Sequence, residues 1–213
     1  MNRVTVPAFT EVLEPRSPAT ISFGEVKTEA IRKAIHFLIA LSPSMAAFHY
    51  KLTLALLMAG TLFYACMEYA RLSGIRVPVI TKATQMAARK RDDGRFVLGP
   101  VTLGFGALLA LLFFPPPAST IAIYALAFGD GFASLVGKLY GYIRPPFMMG
   151  KSIEGSTACF IAVFASAFLV SHHNIEIALI AALIATIVEA LPLEDYDNIA
   201  MPVSVGLIVR LLL

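Results

Sequence analysis

The stretch "YALAFGDGFASLVGKLYG", residues 124–141, decides the fold, because it combines an apolar helix with two stripes of different chemistry. Small residues recur every four positions, at Gly129, Ala133, Gly137 and Gly141. Residues four apart share one face of a helix, and small residues there let membrane helices pack closely. The pattern predicts a membrane helix that packs tightly against a neighbour.

A polar stripe, Asp130, Ser134 and Lys138, lies beside the small one. A carboxylate within a membrane helix costs at least ~2.5 kcal/mol on insertion scales, so such residues are candidates for function. Asp130 is therefore the first candidate for a functional site. The alternative is a structural ion-pair network that joins Asp130 to Lys138.

Composition indicates an integral membrane protein. Of 213 residues, 58% are hydrophobic and 15% charged, and the mean hydropathy is +0.77. Soluble domains average about 45–50% apolar and about 25% charged residues. We expect a polar tail over 1–28, without the apolar core of a signal peptide, and one membrane domain over 29–213. Cys66 and Cys159 lie in apolar runs and predict no disulfide.

The membrane domain is predicted to be an all-α polytopic bundle of about seven transmembrane helices. Each candidate span is near the ~20 residues that a bilayer requires. The spans are 30–48, 51–70, 97–114, 118–140, 156–172, 175–191 and 198–213.

The charged residues predict the orientation. With this set of spans, fifteen of the seventeen Lys and Arg residues lie on the side of the N-terminus, and Lys51 and Arg210 lie opposite. The positive-inside rule then makes the N-terminus cytoplasmic. Of fourteen acids, only Glu176 falls on the outer side. Acids contribute little to orientation, so their crowding at one face suggests a polar site there.

The stretch "GKSIEGST", residues 150–157, ends like a phosphate-binding P-loop. A P-loop also needs a glycine five positions before Gly150, where this chain has Pro145, so that motif is excluded. Lys151 and Ser152 precede a helix, and free N–H groups at a helix start favour anions. The stretch predicts a phosphate site of another design. The alternative is ordinary capping of the helix by Ser152 and Glu154.

The loop over 71–95 is basic, with Arg89, Lys90, Arg91 and Arg95 around two aspartates. One interpretation is a surface helix on anionic lipid. The other is phosphate binding by arginine, which suits bidentate contacts. Other polar residues converge on the same cytoplasmic level: Arg32, His36, Glu68, Glu189, Asp197 and Asn198.

Several function classes are disfavoured. The chain has no HExxH, CxxC or Gly-x-Ser-x-Gly motif, which argues against a zinc protease and a serine hydrolase. No predicted cytoplasmic segment is large enough to form a basic groove, so we expect no nucleic-acid partner.

These motifs together resemble the membrane CTP-dependent lipid-alcohol kinases, which include dolichol, phytol and farnesol kinases and a CTP-using diacylglycerol kinase of yeasts. The resemblance covers 32 to about 205. It rests on a G-D-x-x-A-x-x-x-G pattern, a K-S-x-E-G-[ST] pattern and weaker matches elsewhere. The matching residues are Gly129, Asp130, Ala133, Gly137, Lys151, Ser152, Glu154, Gly155, Ser156, Arg32, Lys33, His36, Glu68, Arg71, Gly99, Pro100, Glu189, Pro192, Asp197, Asn198 and Pro202.

The resemblance implies transfer of the terminal phosphoryl group of CTP to a lipid hydroxyl, with Mg²⁺ or another divalent cation. Asp130 is then a metal ligand, Glu154 or Asp197 a second one, and either Asp130 or Glu189 accepts the hydroxyl proton. Lys151 is assigned to the phosphates and to catalysis, and Glu154 is also assigned to catalysis. The nucleotide or its phosphates would also contact Gly129, Lys138, Ser152, Gly155, Ser156, Arg89 and Arg95, with Arg32, His36, Glu68 and Asn198 in support.

Two alternatives remain. A phosphatidate cytidylyltransferase also uses CTP, but its G-H-G-G-x-x-D-R-x-D signature is absent here. A small anion transporter would carry polar residues through the midplane, and the third span, "VLGPVTLGFGALLALLFF", carries few. Polyprenol, phytol, farnesol and diacylglycerol all need only an apolar groove, so the sequence leaves the alcohol open. It also leaves open CTP against ATP, and the oligomeric state.

Overall fold

The computed structural model describes residues 23–75 and 94–213, and this part of the chain is helical without strands. This confirms the all-α prediction. The helices are α1 (Phe23–Ile39), α2 (Ser42–Leu72), α3 (Gly99–Phe113), α4 (Ala118–Tyr124), α5 (Asp130–Tyr140), α6 (Ile153–Val170), α7 (Ile175–Ala190) and α8 (Asp197–Leu212). A π-helical turn over Ala125–Gly129 joins α4 to α5, and a 3₁₀ turn spans Pro146–Met148.

Membrane-spanning character is clearest in three of the described helices. Helix α2, the continuous helix from α4 to α5, and α6 have 31, 23 and 18 residues and are apolar enough to cross a membrane. Helix α3 is apolar but has 15 residues. The described helices correspond one to one with the seven predicted spans when α4 and α5 are taken together. The number that crosses the bilayer, and the orientation, stay predictions.

The first predicted span contains a break that was not predicted. The spans were placed at 30–48 and 51–70, whereas α1 ends at Ile39 and α2 begins at Ser42. Pro43 lies in the first turn of α2, where proline is tolerated, whereas it would interrupt the interior of one helix continuous with α1.

The connection predicted near 49–50 coincides with a kink within α2. His49 has non-helical angles, φ −143° and ψ 77°. The Thr53 hydroxyl donates to the His49 carbonyl oxygen at 3.0 Å. Hydroxyl bonds of this kind to a helix carbonyl are associated with helix bending.

The core lies between α3, α4, α6, α7 and α8 and is built mainly from small side chains. Its fully buried residues include Ala122, Ala125, Ala178, Ala181, Ala182 and Ala185. Small residues let helix backbones approach closely, which is how membrane helices gain packing contacts.

The small-residue stripe lies at these helix contacts, as its spacing predicts. A Cβ on Gly129 would lie 2.8 Å from Val163 Cγ2 on α6. A Cβ on Gly137 would lie 3.0 Å from Ser152 Oγ and 3.6 Å from the Cα of Gly155. The stripe therefore packs α5, and the turn before it, against α6.

Gly106 gives a direct test of close helix packing. A Cβ there would lie 2.0 Å from the backbone oxygen of Asn198, and backbone moves less readily than a side chain. We expect Gly106→Ala to destabilise the protein by about 1–3 kcal/mol through overpacking. Thermal unfolding in detergent measures this.

Gly60→Ala is the matched control, because a Cβ on Gly60 of α2 meets nothing within 4 Å. There the substitution should be neutral, or raise stability by about 0.5–1 kcal/mol through helix propensity. Equal unfolding midpoints for both variants would contradict the α3–α8 contact described here.

Candidate active site

Helix α1 runs antiparallel to α5 and places a row of charged side chains against it. Glu29 accepts a hydrogen bond from Lys138, near the end of α5. Lys33, one turn further along α1, pairs with Asp130 at the start of α5. Phe37 lies another turn on and packs over the backbone of the same turn of α5. Helix α1 therefore belongs to the polar site.

Asp130 is buried, with 7% of its surface exposed. Its Oδ2 accepts a hydrogen bond from Lys33, whose side chain is 1% exposed. The Nδ1 of His36 lies 3.1 Å from the same oxygen, without the angle of a hydrogen bond. Ser134 donates to Oδ1 at a long 3.5 Å. Asp130 directly follows the π-helical turn, a feature frequent at functional sites.

Lys138 pairs with Glu29 and not with Asp130, so the alternative of an Asp130–Lys138 network is wrong. Glu29 is 1% exposed and accepts from Arg32 with one carboxylate oxygen and from Lys138 with the other. A buried carboxylate with two cationic donors is fully compensated. The ion pairs at Glu29 and at Asp130 are therefore separate, and they lie at successive levels between α1 and α5.

No role for Glu29 was predicted from the sequence, and Lys33 was noted only as a motif match. Their spacing in the sequence could have identified both residues. Glu29, Lys33 and His36 are spaced i, i+4 and i+7, which places them on one helix face. A charged face on an otherwise apolar helix indicates partners within the bundle.

Ser152 caps α6, as the alternative interpretation of this stretch predicted. Its Oγ accepts from the backbone N–H of Gly155 at 3.1 Å. The Oε1 of Glu154 accepts from the N–H groups of Tyr142 and Ile143, both at 3.1 Å. Glu154 therefore holds the segment that follows α5, and these contacts do not support its assignment as a metal ligand.

Arg144, which the sequence analysis missed, holds the other side of this loop. Its guanidinium donates to the carbonyl oxygens of Gly150 and Gly137. Met149 and Gly150 have positive φ values of 46° and 95°. Together, Glu154 and Arg144 fix the path of the chain up to Lys151.

The hydrogen bonds that Glu154 accepts from Tyr142 and Ile143 predict different results for two substitutions. Glu154→Gln keeps an oxygen that accepts from the two N–H groups, whereas Glu154→Ala removes it. We expect Glu154→Gln to change activity by less than about threefold and Glu154→Ala to lower it by about tenfold, as loss of loop order displaces Lys151. Initial rates as a function of Mg²⁺ concentration test this. A sharply raised Mg²⁺ requirement in Glu154→Gln would instead make Glu154 a metal ligand.

Lys151 connects three helices. Its ammonium group donates to the backbone oxygen of Glu189 at the end of α7. It also lies 3.7 Å from Glu189 Oε1 and 3.8 Å from Asp197 Oδ2, at the start of α8. The hydroxyl of Ser156 donates to Glu189 Oε2 at 2.9 Å. The convergence of these residues, predicted from the sequence, is thus present.

The Lys151 group lies near the Asp130 group. Asp197 Oδ2 is 3.8 Å from the ammonium group of Lys151, and Asp197 lies near enough to Asp130, Lys33 and Arg32 for their charges to act on its carboxylate. Carboxylates and cations are thus interleaved between α1, the start of α5, and the adjoining ends of α6, α7 and α8. Such an arrangement can bind an anion and a divalent cation together.

Glu68 has a different role, because it anchors α2 to the segment before α3. It is fully buried and accepts two hydrogen bonds from Arg71, at 2.8 and 2.7 Å. It also accepts from the backbone N–H of Val97 at 3.0 Å. Arg95 is exposed, and its backbone oxygen accepts from Arg71 at 3.1 Å. Arg89 lies outside the described residues.

Asn198 joins α8 to α3. Its amide nitrogen donates to Thr102 Oγ1 at 2.9 Å, and the residue is 3% exposed. Its Oδ1 is buried without a hydrogen-bond partner. This acceptor directly follows Asp197 in the chain, so it is a candidate for a contact with a bound ligand.

Gly129 and Gly155 have packing roles that their assignment to nucleotide binding did not anticipate. The Cβ position of Gly129 faces Val163 and Cys159, and that of Gly155 faces the backbone oxygen of Ala133 at 2.7 Å. Both glycines are buried in helix contacts. These contacts do not support nucleotide binding by either residue.

The site fits a magnesium ion brought in with a nucleotide. Among the described residues, no three His, Cys, Asp or Glu side chains form a ready cage for a metal. Mg²⁺ does not need one, since it is usually held by one or two carboxylates together with substrate phosphates. Asp130 and Asp197 carry oxygen ligands of this kind, and Asp197 lies 3.8 Å from the cationic Lys151.

Comparison with known proteins finds relatives that are lipid kinases. A probable chloroplastic phytol kinase of Triticum aestivum is 33% identical over 140 residues, which are 58% of this chain and 46% of the relative. Phytol kinase 1 of Arabidopsis thaliana is 27% identical over 150 residues, 62% and 49% of the two chains. The CTP-dependent diacylglycerol kinase 1 of Eremothecium gossypii is 28% identical over 123 residues, 46% and 39%.

The chain is a homologue of phytol kinases and of a CTP-dependent diacylglycerol kinase. This confirms the resemblance that the motifs around Asp130 and Lys151 carry. The chain spans about half the length of the curated relatives it matches. No family model matches the chain, and no solved structure matches it.

Proposed function

We propose that this protein is a membrane kinase that transfers the terminal phosphoryl group of CTP to the hydroxyl of a lipid alcohol. The observation that carries the proposal is the convergence of Lys151 with Glu189 and Asp197 beside the buried Asp130. Phosphoryl transfer depends mainly on positioning and on neutralisation of phosphate charge, and this site provides cations and metal-binding carboxylates together. The kinase relatives support the same reaction class.

In this proposal, Lys151 and the start of α6 bind the phosphates. The ammonium group of Lys151 supplies a point charge, and the macrodipole of α6 favours an anion at its N-terminus. Asp130 and Asp197 would hold Mg²⁺, which neutralises charge on the phosphates when bound. Lys138 lies about two turns from Asp130 on α5, with its side chain 39% exposed and paired with Glu29.

Glu189 is the proposed proton acceptor. The lipid hydroxyl oxygen forms a bond to the γ-phosphorus, the bond from that phosphorus to the bridging oxygen breaks, and CDP leaves. The hydroxyl proton passes to a carboxylate. Because Asp130 would be engaged by the metal, we assign this role to Glu189, which is buried and oriented by Ser156.

The proposed substrate is an apolar alcohol of the phytol or diacylglycerol class that enters from the bilayer. Phe132, two residues after Asp130, is 43% exposed. Its ring lies 5.3 Å from that of Phe37, which itself lies 6.0 Å from that of Phe128. This aromatic surface of α1 and α5 leads to the polar site, so a hydrocarbon chain can lie along it while the hydroxyl reaches the carboxylates.

Labelled CTP tests the proposal. Purified protein is supplied with CTP labelled at the γ or the α phosphorus, with phytol, farnesol, a polyprenol, diacylglycerol or phosphatidic acid as acceptor. A kinase places the γ label in the lipid and releases CDP. Label that enters lipid only from α-labelled CTP, with phosphatidic acid as acceptor, would instead indicate a cytidylyltransferase. A parallel reaction with γ-labelled ATP identifies the preferred donor.

The proposed site faces the cytoplasm, or the equivalent compartment of an organelle, because the positive residues crowd there. We expect tags at residue 1 and near Asp92 to be protected in intact cells, and a tag at residue 213 to be accessible. Protease or labelling reagents added from outside measure this. A tag near Asp92 on the same side as residue 213 would contradict the topology.

A further inference from the structure

We propose that Lys33 holds the place of the divalent cation at Asp130 until a nucleotide binds, and that it then moves to a phosphate of that nucleotide. The inference rests on the proposed function, since it takes a metal–nucleotide complex as the ligand. It assigns to Lys33 a switching role that makes metal binding depend on the nucleotide.

The first support is burial. The side chains of Lys33 and Asp130 are 1% and 10% exposed, and they are hydrogen-bonded to each other. A buried carboxylate without a counter-charge is strongly unfavourable, so an empty site needs a cation at this position. Lys33 supplies it from α1, which places its ammonium group against Oδ2 of Asp130.

The second support is competition for the same oxygen. A divalent ion on Asp130 would bring a second cation to a carboxylate that Lys33 already occupies. Repulsion between the two cations favours departure of the ammonium group. Lysine suits this movement, because its charge sits on a flexible four-carbon stem that can swing while the helix stays in place.

The third support is that the neighbouring acceptor is already taken. Glu29 lies one turn away on the same face of α1, but its two oxygens accept from Arg32 and Lys138. A displaced Lys33 therefore finds no free carboxylate on α1, and Asp197 would be engaged by the metal in the proposed complex. Nucleotide phosphates provide oxygen acceptors through charge-assisted hydrogen bonds, so arrival of the nucleotide satisfies Lys33 and frees Asp130 together.

This exchange predicts coupled binding. The metal alone must compete with Lys33 and binds weakly, whereas metal and nucleotide together bind tightly. By linkage, the metal strengthens nucleotide binding by the same factor. If Lys33 is replaced by a neutral side chain, the metal binds well alone and the coupling falls.

Binding of Mn²⁺ to the purified full chain in detergent tests this without turnover. Free Mn²⁺ is counted by electron paramagnetic resonance, with and without a CTP analogue that carries a methylene group between the β and γ phosphorus atoms. A titration of analogue and Mn²⁺ without protein corrects for their own complex. We expect Lys33→Met to bind Mn²⁺ alone about tenfold more tightly than the unsubstituted protein, within the usual range of such couplings.

Three further variants distinguish the possible outcomes of the Mn²⁺ titration. Lys51→Met removes one exposed lysine elsewhere and should bind Mn²⁺ like the unsubstituted protein. Asp130→Asn should bind it more weakly. If Lys33→Met does not fold, Lys33→Gln keeps a hydrogen-bond donor to Asp130 and should change Mn²⁺ affinity in the same direction.

Unchanged Mn²⁺ affinity in the folded Lys33 variant, or unchanged coupling to the analogue, would overturn the inference. So would an Asp130→Asn variant that binds Mn²⁺ normally. These metal titrations stay readable even if labelled CTP yields no labelled lipid, so failure of the inference and failure of the kinase proposal are distinguishable.

Discussion

Asp130→Asn should lower lipid phosphorylation by about 10²- to 10³-fold, the usual scale for loss of one electrostatic contact to a transition state. Asparagine keeps the size of the side chain and its hydrogen-bonding oxygen but removes the charge that a metal and Lys33 both require. Initial rates with γ-labelled CTP in lipid vesicles measure the loss. Ser134→Ala is the matched control on the same helix face, since its contact to Asp130 is a long 3.5 Å.

Stability must be separated from turnover in this experiment, because Asp130→Asn leaves Lys33 buried without its partner. Breaking a buried pair on one side costs about 3–5 kcal/mol, whereas replacing both charges by neutral groups is often near neutral. We therefore expect the double variant Asp130→Asn/Lys33→Met to recover much of the unfolding midpoint but none of the turnover. Near-normal turnover in either variant would assign Asp130 a purely structural role.

Lys151→Ala should reduce kcat/KM for CTP by about 10²-fold, because it removes a cation from the phosphates and leaves Glu189 and Asp197 close together without it. Lys151→Arg keeps the charge but changes its shape, so it should recover part of the rate. The measurement is transfer of γ label to lipid across a range of CTP concentrations.

Lys51→Ala provides the control for loss of a lysine, since Lys51 is exposed on α2 beyond the kink at His49. It should phosphorylate lipid at the normal rate. If Lys151→Ala also retains normal kcat/KM for CTP, Lys151 serves only to join α6 to α7 and α8, and the phosphate site lies elsewhere.

Much of the site could be predicted from the sequence. The sequence singles out four charged residues, and the structure places them in one region: Asp130, Lys151, Glu189 and Asp197. The physical reason is the cost of a charge in an apolar helix. A charged residue persists there only where it has a role or a partner, so each stands out from its neighbours.

The roles within the site were less predictable. Glu154 looked like a metal or catalytic residue, but it accepts hydrogen bonds from Tyr142 and Ile143. Gly129 and Gly155 looked like contacts for a nucleotide, but their Cβ positions face neighbouring helices. A motif gives residue types and spacing, whereas a role depends on which groups lie opposite, and that is a property of the packed helices.

By itself, the sequence determined that the chain is helical and apolar enough for a membrane, because hydropathy and local spacing act along the chain. It also predicts that the charges gather at one level. Only the tertiary structure decided which charges meet. Lys138 pairs with Glu29 and Lys33 with Asp130, because α1 lies antiparallel to α5 in one particular register. Pairing across 109 and 97 positions leaves no local trace in the sequence. It follows from the close packing of helices, which fixes the neighbours of every buried charge.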